Sequence, residues 1–107
     1  MSDSTPAGLT SKQRAHVRGL AHAKKALAHV GKEGVTPAAL RSLRQQFATR
    51  EIVKVRVLDA APETPRDTAT ALAEGVDGCH VVQVVGRTAT LFRPDPHHPT
   101  VQLPKAE

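Results

Sequence analysis

A chain of 107 residues has room for one hydrophobic core, so the sequence predicts a single domain. With 39% hydrophobic and 23% charged residues, the composition excludes a disordered acidic segment. No apolar run approaches the roughly 20 residues of a membrane-spanning helix, which argues against a membrane protein.

The net charge of +5 is unevenly distributed along the chain. Residues 1–56 contain eleven Lys and Arg against three Asp and Glu, whereas residues 57–107 contain four against seven. One region of the folded protein should therefore carry a concentrated positive field, which is typical of proteins that bind nucleic acids or anionic membranes. A solvated face on a small basic protein is an equal alternative.

The two ends of the chain are expected to be tails around a domain at residues 9–94. Residues 1–8 contain an acid and no apolar run, so we expect a disordered N-terminal tail and no secretory signal. Residues 95–107 are rich in proline, and we expect a C-terminal tail with little to bury. Cys79 is the single cysteine, which fits a reducing cytoplasm, and its simplest role is that of a small core hydrophobe.

A helix and a short strand open the domain. Thr10 or Ser11 can cap a helix that runs to about Ala21. The apolar stretch at residues 26–30 predicts the first strand. The buried side of the helix is expected to contain Val17, Leu20 and Ala21.

A second helix and strand follow a loop that contains two glycines. The loop is Gly31-Lys32-Glu33-Gly34, and the Thr36-Pro37 pair after it is a strong helix start. Residues 52–57 alternate between apolar and charged side chains, which predicts a half-buried strand. The charged residues on its outer side are Lys54 and Arg56.

A third helix and a hairpin complete the domain. The pair Thr64-Pro65 starts the helix. Residues 81–85 are almost continuously apolar, as expected of an interior strand. A tight turn at Gly86-Arg87 then leads into a fourth strand over residues 88–93. The order α-β-α-β-α-β-β predicts an α/β fold, an α+β sandwich with a single four-stranded mixed sheet and three helices.

The glycine loop has the pattern of a phosphate-binding element. Glycines let backbone N–H groups approach a phosphate, and the helix that follows turns its positive end toward the same place, as in KH domains. Lys32 adds a positive charge, whereas Glu33 would repel a phosphate. On its own, a GxxG loop is a weak signal, because turns with glycine are common between strands and helices.

Basic residues near the loop strengthen this interpretation. If they lie on the loop's side of the sheet, they form a continuous track for a sugar-phosphate backbone. The alternative for Arg41 and Arg44, the two arginines of the second helix, is that they only keep the helix soluble. The candidate track consists of Arg14, Arg18, Lys24, Lys25, Arg41, Arg44, Lys54 and Arg56.

Several segments, taken in order, resemble the YhbY-like family of CRM domains. They are Leu9-Thr10-Ser11-Lys12-Gln13-Arg14, Arg18-Gly19-Leu20-Ala21-His22, Val30-Gly31-Lys32-Glu33-Gly34-Val35-Thr36, Glu51-Ile52-Val53-Lys54-Val55-Arg56, Val82-Gln83-Val84-Val85-Gly86-Arg87 and Leu91-Phe92-Arg93-Pro94. This chain departs from the family in its first strand, which lacks the expected proline and bulky aliphatic residues, and at Phe92, where tyrosine is common.

The resemblance implies an RNA-binding fold similar to the C-terminal domain of translation initiation factor three. Stand-alone bacterial members of the family are associated with precursors of the large ribosomal subunit, and plant organellar relatives act in group II intron splicing. The RNA-binding element that the family implies here is residues 31–34 with the nearby basic residues.

The sequence carries no pattern typical of an enzyme. It has no nucleophile–base motif, Walker loop or paired-carboxylate spacing, and its six histidines form no metal-binding pattern. We therefore expect no catalysis, no cofactor, no metal, no small-molecule substrate and no membrane partner. Two aromatic residues are also too few for a base-stacking platform.

The leading hypothesis is a monomeric, cytoplasmic RNA-binding protein that assists assembly of the large ribosomal subunit and grips rRNA by its backbone. A general RNA chaperone or an intron-splicing factor with the same fold is the second hypothesis. The third is a protein-interaction module whose basic face docks an acidic partner.

Overall fold

The computed structural model describes residues 9–104, which form three helices and four strands in the predicted order. The predicted tail at residues 1–8 lies outside the described residues, as do residues 105–107. None of the described helices is long and apolar enough to cross a membrane. The elements are α1 (Ser11–Ala21), β1 (Ala26–Val30), α2 (Pro37–Phe47), β2 (Ile52–Val57), α3 (Pro65–Glu74), β3 (His80–Val85) and β4 (Thr88–Phe92).

The strands form one mixed sheet in the order β1-β2-β4-β3. β1 runs parallel to β2, and β4 pairs antiparallel with both β2 and β3. The predicted α+β architecture with a single four-stranded mixed sheet is therefore confirmed. The interior position predicted for residues 81–85 is wrong, because β3 is an edge strand and β4 lies inside. The apolar run of β3 arises because α1 contacts one part of this strand and α3 another, so both faces are partly covered.

Helices cover both faces of the sheet. On one face α2 and α3 pack over a core that includes Leu43, Leu72 and Val55. Cys79 packs against the same core, and burial raises the pKa of its thiol to about 12. The thiol is therefore uncharged at neutral pH, as expected of a small residue packed against a hydrophobic core. On the other face, which we call the α1 face, the core consists of Val17, Ala21, Ile52, Val82 and Phe92.

The buried side of α1 is narrower than its sequence pattern suggests. Val17 and Ala21 are fully buried, as expected. Leu20 is instead 43% exposed, because it lies on the flank of the helix that faces an open groove. The expectation that Leu20 belongs to the core is therefore wrong.

Each helix begins at a predicted threonine. The side-chain oxygens of Thr10, Thr36 and Thr64 accept hydrogen bonds from backbone N–H groups three residues later, at 3.0, 3.0 and 3.1 Å. Gln13 returns the bond at α1, since the N–H of Thr10 donates to its side chain at 3.1 Å. Caps of this kind stabilise a helix by about 1 kcal/mol each, so local sequence sets all three helix starts.

The segment at residues 95–104, which we call the C-terminal strap, packs on the domain. Val101 and Leu103 contact the core of the α1 face. The side-chain amide of Gln13 donates to the carbonyl of Pro104 at 3.0 Å. The expectation that this segment has little to bury is therefore wrong over the described part of it.

Glu51 holds the strap in place. One oxygen of this carboxylate accepts from the N–H of Asp95 at 2.6 Å. The other accepts from the N–H and hydroxyl of Thr100 at 2.8 and 2.6 Å, and from the N–H of Val101 at 2.7 Å. Burial alone would raise the pKa of Glu51, but these hydrogen bonds outweigh it and the pKa is lowered. A residue that sequence inspection had placed only in a family motif is thus a structural anchor.

Candidate nucleic-acid interface

The glycine loop lies between the end of β1 and the start of α2. The N–H of Gly34 donates to the carbonyl of Gly31 at 2.9 Å and closes the loop as a turn. At its tip, Lys32 and Glu33 are exposed, and within residues 9–104 their backbone N–H groups have no acceptor. The tip therefore presents two backbone donors beside the ammonium group of Lys32.

The two glycines of the loop differ in what they require. Gly34 has a φ of 70°, and a Cβ there would lie 3.0 Å from Cγ of Pro62. At Gly31 a Cβ would meet Cδ1 of Leu58 at 3.6 Å, an ordinary contact, and φ is not positive.

We expect Gly34→Ala to lower the free energy of unfolding by about 1–2 kcal/mol, because alanine is strained in the left-handed region. The matched change Gly31→Ala should cost less than about 0.5 kcal/mol, since nothing opposes it. Urea unfolding followed by circular dichroism measures both. Equal losses in the two variants would contradict this account of the loop.

The N-terminus of α2 offers fewer donors than its sequence suggests. Pro37 has no N–H, and the N–H of Ala39 is bonded to the side chain of Thr36. Of the first three helical residues, Ala38 alone keeps an N–H without an acceptor in the described part of the chain. The cap that starts the helix thus takes up donors that a phosphate would otherwise use, and the loop tip is the better anion site.

The predicted basic residues do not form one track on the loop's side of the sheet. Arg41 and Arg44 lie on α2, which packs on the face opposite α1. Lys54 and Arg56 lie on the α1 face, because strand residues alternate and Ile52 packs there. The remaining members lie on α1 or in the connection from α1 to β1: Arg14, Arg18, Lys24 and Lys25.

Three of these basic side chains bind main-chain carbonyls. Lys54 donates to the carbonyls of Ala21 and Lys24 at 3.4 and 3.1 Å, where α1 ends. Arg44 donates to the carbonyl of Gly75 at 2.8 Å, just after α3. The third is Arg14, whose guanidinium donates to the carbonyl of Val81 on β3. Cations at the C-terminal ends of helices are stabilising, so Lys54 and Arg44 have structural roles whether or not they contact a ligand. Arg14 has one too, because it joins α1 to β3.

A smaller set of basic residues follows β1 from one end to the other. His29 and Arg56 are register partners on neighbouring strands, and both are exposed. Within residues 9–104 the side chains of this set form no hydrogen bond or ion pair. We call the set the β1 basic surface, and it consists of Lys24, Lys25, His29, Lys32 and Arg56.

His29 is a surface residue of β1. Its side chain is exposed and forms no hydrogen bond in the part of the chain that the structure describes. The period-two alternation of β1 could have shown this, because Ala28 and Val30 face the core and His29 must face away.

The opposite end of β1 borders an open groove of about 910 Å³. Its walls come from α1, from β1, from residues 49–52 and from the C-terminal strap. Three cations line it, Lys24, Lys25 and Arg50, together with apolar side chains that include Leu20 and Leu27. Sequence inspection missed Arg50, because no local pattern marks a residue whose neighbours come from distant segments.

The described residues contain no group of three or more His, Cys, Asp and Glu that could hold a metal ion.

One acidic side chain near the loop is already paired, since Asp59 lies 3.1 Å from Nε of Arg87. That arginine also donates to the carbonyls of Val57 and Leu58 at 2.8 and 2.9 Å. Arg87 thereby ties the turn between β3 and β4 to the end of β2, where Leu58 lies next to Gly31 of the loop.

Comparison with known proteins gives one consistent result. The model of the CRS1/YhbY (CRM) domain family matches residues 9–93. A Bacillus subtilis protein named "Probable RNA-binding protein YqeI" is 32% identical over 96 residues, which cover 90% of this chain and 99% of the relative. A Haemophilus influenzae protein named "RNA-binding protein" is 29% identical over 97 residues, covering 91% and 96% of the two chains.

An archaeal relative and a solved structure extend the match. "Probable RNA-binding protein MJ0652" of Methanocaldococcus jannaschii is 35% identical over 96 residues, covering 88% of this chain and 70% of that protein. The solution structure of the hypothetical protein SAV1595 from Staphylococcus aureus superposes with a TM-score of 0.76 at 28% identity. The match covers 91% of this chain and all of the other. The resemblance drawn from the sequence motifs is confirmed.

Proposed function

The chain belongs to the CRS1/YhbY (CRM) domain family, and on that premise we propose that it binds RNA through the loop at residues 31–34 and the β1 basic surface. The observation that carries this proposal is the pair of backbone N–H groups at Lys32 and Glu33, which lack acceptors within residues 9–104 and stand at the end of that surface. Three relatives with RNA-binding names support RNA as the ligand.

The chemistry of the loop tip suits a phosphate group. Two of its oxygens can accept from the N–H groups of Lys32 and Glu33 while the Lys32 ammonium neutralises the charge. Arg56 and His29 then meet the backbone further along β1. Contacts of this kind fix position and carry little sequence information, so we propose that the protein recognises the shape of its RNA.

We further propose that the RNA is ribosomal, in precursors of the large subunit, and that the protein acts on it in the cytoplasm as a monomer by binding and not by catalysis. The family resemblance supports this choice over an intron-splicing role. Sedimentation of the tagged protein with large-subunit precursors would support this proposal, whereas enrichment of other RNA classes would favour a general chaperone role.

Adjacent loop residues should change RNA affinity in opposite directions. Lys32→Gln should weaken binding up to roughly fivefold, the value of one exposed charge pair of about 1 kcal/mol. Glu33→Gln should strengthen it by a similar factor, because a repulsive carboxylate is removed. Fluorescence anisotropy with ribosomal RNA fragments at fixed salt measures both.

Both loop side chains are exposed, so neither change should alter folding. Gly34 is left unchanged in both variants, because its φ is positive and a side chain there would strain the fold. If neither variant changes the affinity for RNA, the RNA binds elsewhere on the protein. If heparin binds the wild type as tightly as RNA does, the surface is a general polyanion dock and the acidic-partner hypothesis gains support.

A further inference from the structure

The groove at the start of β1 combines two kinds of surface. Leu20 and Leu27 are 43% and 46% exposed, which is unusual for large apolar side chains, and both line the groove with Val101 of the strap. Lys24, Lys25 and Arg50 surround the apolar part. The carboxylate of Glu51 also borders the groove, but its oxygens are occupied by the strap. The groove therefore attracts an anion that also has an apolar part.

A nucleotide with an unpaired base has this combination of properties. Its base is flat and largely apolar on its faces, and its phosphate is anionic. Unpaired bases are the parts of an RNA that proteins can take out of the stack and hold in a pocket. The groove volume of about 910 Å³ lies in the range of small-ligand sites and exceeds what one base occupies.

The position of the groove links it to the loop. β1 has five residues, so the groove at its start and the loop at its end lie roughly 16 Å apart at 3.3 Å per residue. His29 lies between them on the α1 face, beside Arg56. One RNA chain can thus run from the loop across these two residues to the groove without leaving a basic surface.

We propose that the groove holds an unpaired nucleotide of the same RNA whose backbone the loop grips. This rests on the proposed function and adds a requirement: the preferred RNA has unpaired nucleotides next to the segment bound at the loop. The base contacts Leu20 and Leu27, and the adjoining phosphates contact the lysines and Arg50.

An acidic peptide is the rival occupant, and an added strand along β1 would be its natural form. The strand opposes that use, since it has only five residues, its register shifts between Ala26 and Ala28, and two lysines precede it. Short edge strands with irregularities and lysines resist pairing with another chain. The continuity with the loop also favours RNA.

The test compares three RNAs that share one hairpin. The first has no overhang, the second carries four unpaired adenosines, and the third carries four abasic nucleotides, which keep the phosphates and lack the bases. The wild type should bind the adenosine form about fivefold more tightly than the abasic form, because only the former buries apolar surface in the groove. Anisotropy titrations give the three affinities.

A double variant, Leu20→Gln with Leu27→Thr, removes the apolar walls and keeps the charge. Both side chains are exposed, and the new residues suit a helix and a strand, so folding should persist. We expect this variant to lose the preference for adenosine and to bind the plain hairpin as the wild type does. Val85→Thr is the matched control, because Val85 is 63% exposed and lies outside the groove.

The outcomes separate the two proposals. If the wild type binds none of the RNAs, the proposed function fails and the groove assignment fails with it. If it binds all three equally, or if the double variant keeps the preference, RNA binding stands and the groove assignment is wrong. If an acidic, leucine-containing peptide binds the wild type and not the double variant while the overhang has no effect, the groove is a protein dock and the nucleotide assignment is overturned.

Discussion

Replacing Glu51 with glutamine should lower the free energy of unfolding by about 3 kcal/mol, since hydrogen bonds to a buried charged group contribute roughly 1.5–3 kcal/mol each and are only partly additive. Glu51 is 5% exposed and accepts four hydrogen bonds from the strap. An amide keeps one acceptor oxygen and turns an N–H₂ group toward the remaining donors. For a domain of this size the melting temperature should fall by ~12–24 °C, which calorimetry measures.

The acid dependence of stability provides an independent check of the same contact. The folded-state pKa of Glu51 is lowered, so its contribution is complete above the unfolded value of about 4.3 and is lost as pH falls through the folded value. The stability difference between wild type and variant should therefore be constant near neutral pH and shrink below about pH 4. Glu33→Gln, at an exposed glutamate, is the control and should change stability by less than about 0.5 kcal/mol. A difference that persisted unchanged in acid would show that Glu51 does not act through its charge.

Raising the salt concentration from 50 to 200 mM should weaken RNA binding on the order of 10²-fold if about five phosphates are neutralised. The four Lys and Arg residues of the β1 basic surface, together with Arg50 in the adjoining groove, offer that number of cationic contacts. Each neutralised phosphate releases condensed counterions, and the free energy gained from this release falls as the bulk salt concentration rises. Anisotropy titrations at four salt concentrations give the slope of log affinity against log salt.

Variants of the surface refine the salt prediction. Lys32→Gln should reduce the slope by about 1, because one phosphate contact is lost. Arg41→Gln is the informative comparison, since Arg41 lies on α2, on the opposite face from Arg56. It should leave the slope unchanged if the RNA follows the β1 basic surface. A slope near zero in the wild type would contradict backbone binding altogether.

The helices and strands could be predicted because their signals are local. A threonine before a proline fixes the start of α2, and the alternation at residues 52–57 fixes β2, whatever the rest of the chain does. That β3 lies at the edge of the sheet and β4 inside it could not be predicted in this way. A continuous apolar run indicates only that both faces of a strand are covered, and helices can cover an edge strand as well as an interior one. Both α1 and α3 contact β3.

The candidate site was predictable only in part, for a related reason. The loop is contiguous in sequence, so its glycines and its lysine could be recognised together. The basic track was not, because whether Arg44 faces a ligand or the carbonyl of Gly75 depends on how α2 and α3 pack. Glu51 was not recognised because the groups that bind its carboxylate are about 50 residues away, in a segment that reads as a tail. Arg50 was not recognised because the groove that it lines is built from distant segments.

The C-terminal strap is at once a stabilising element and a wall of the groove, which makes the two thermodynamically coupled. A ligand that contacts Val101 in the groove binds the molecules with a docked strap more tightly than those without, so it draws the population toward the docked state. Coupling of this kind is reciprocal: docking of the strap raises the affinity for such a ligand by the same factor by which the bound ligand favours docking. A variant that weakens the Glu51 anchor should therefore also weaken binding in the groove.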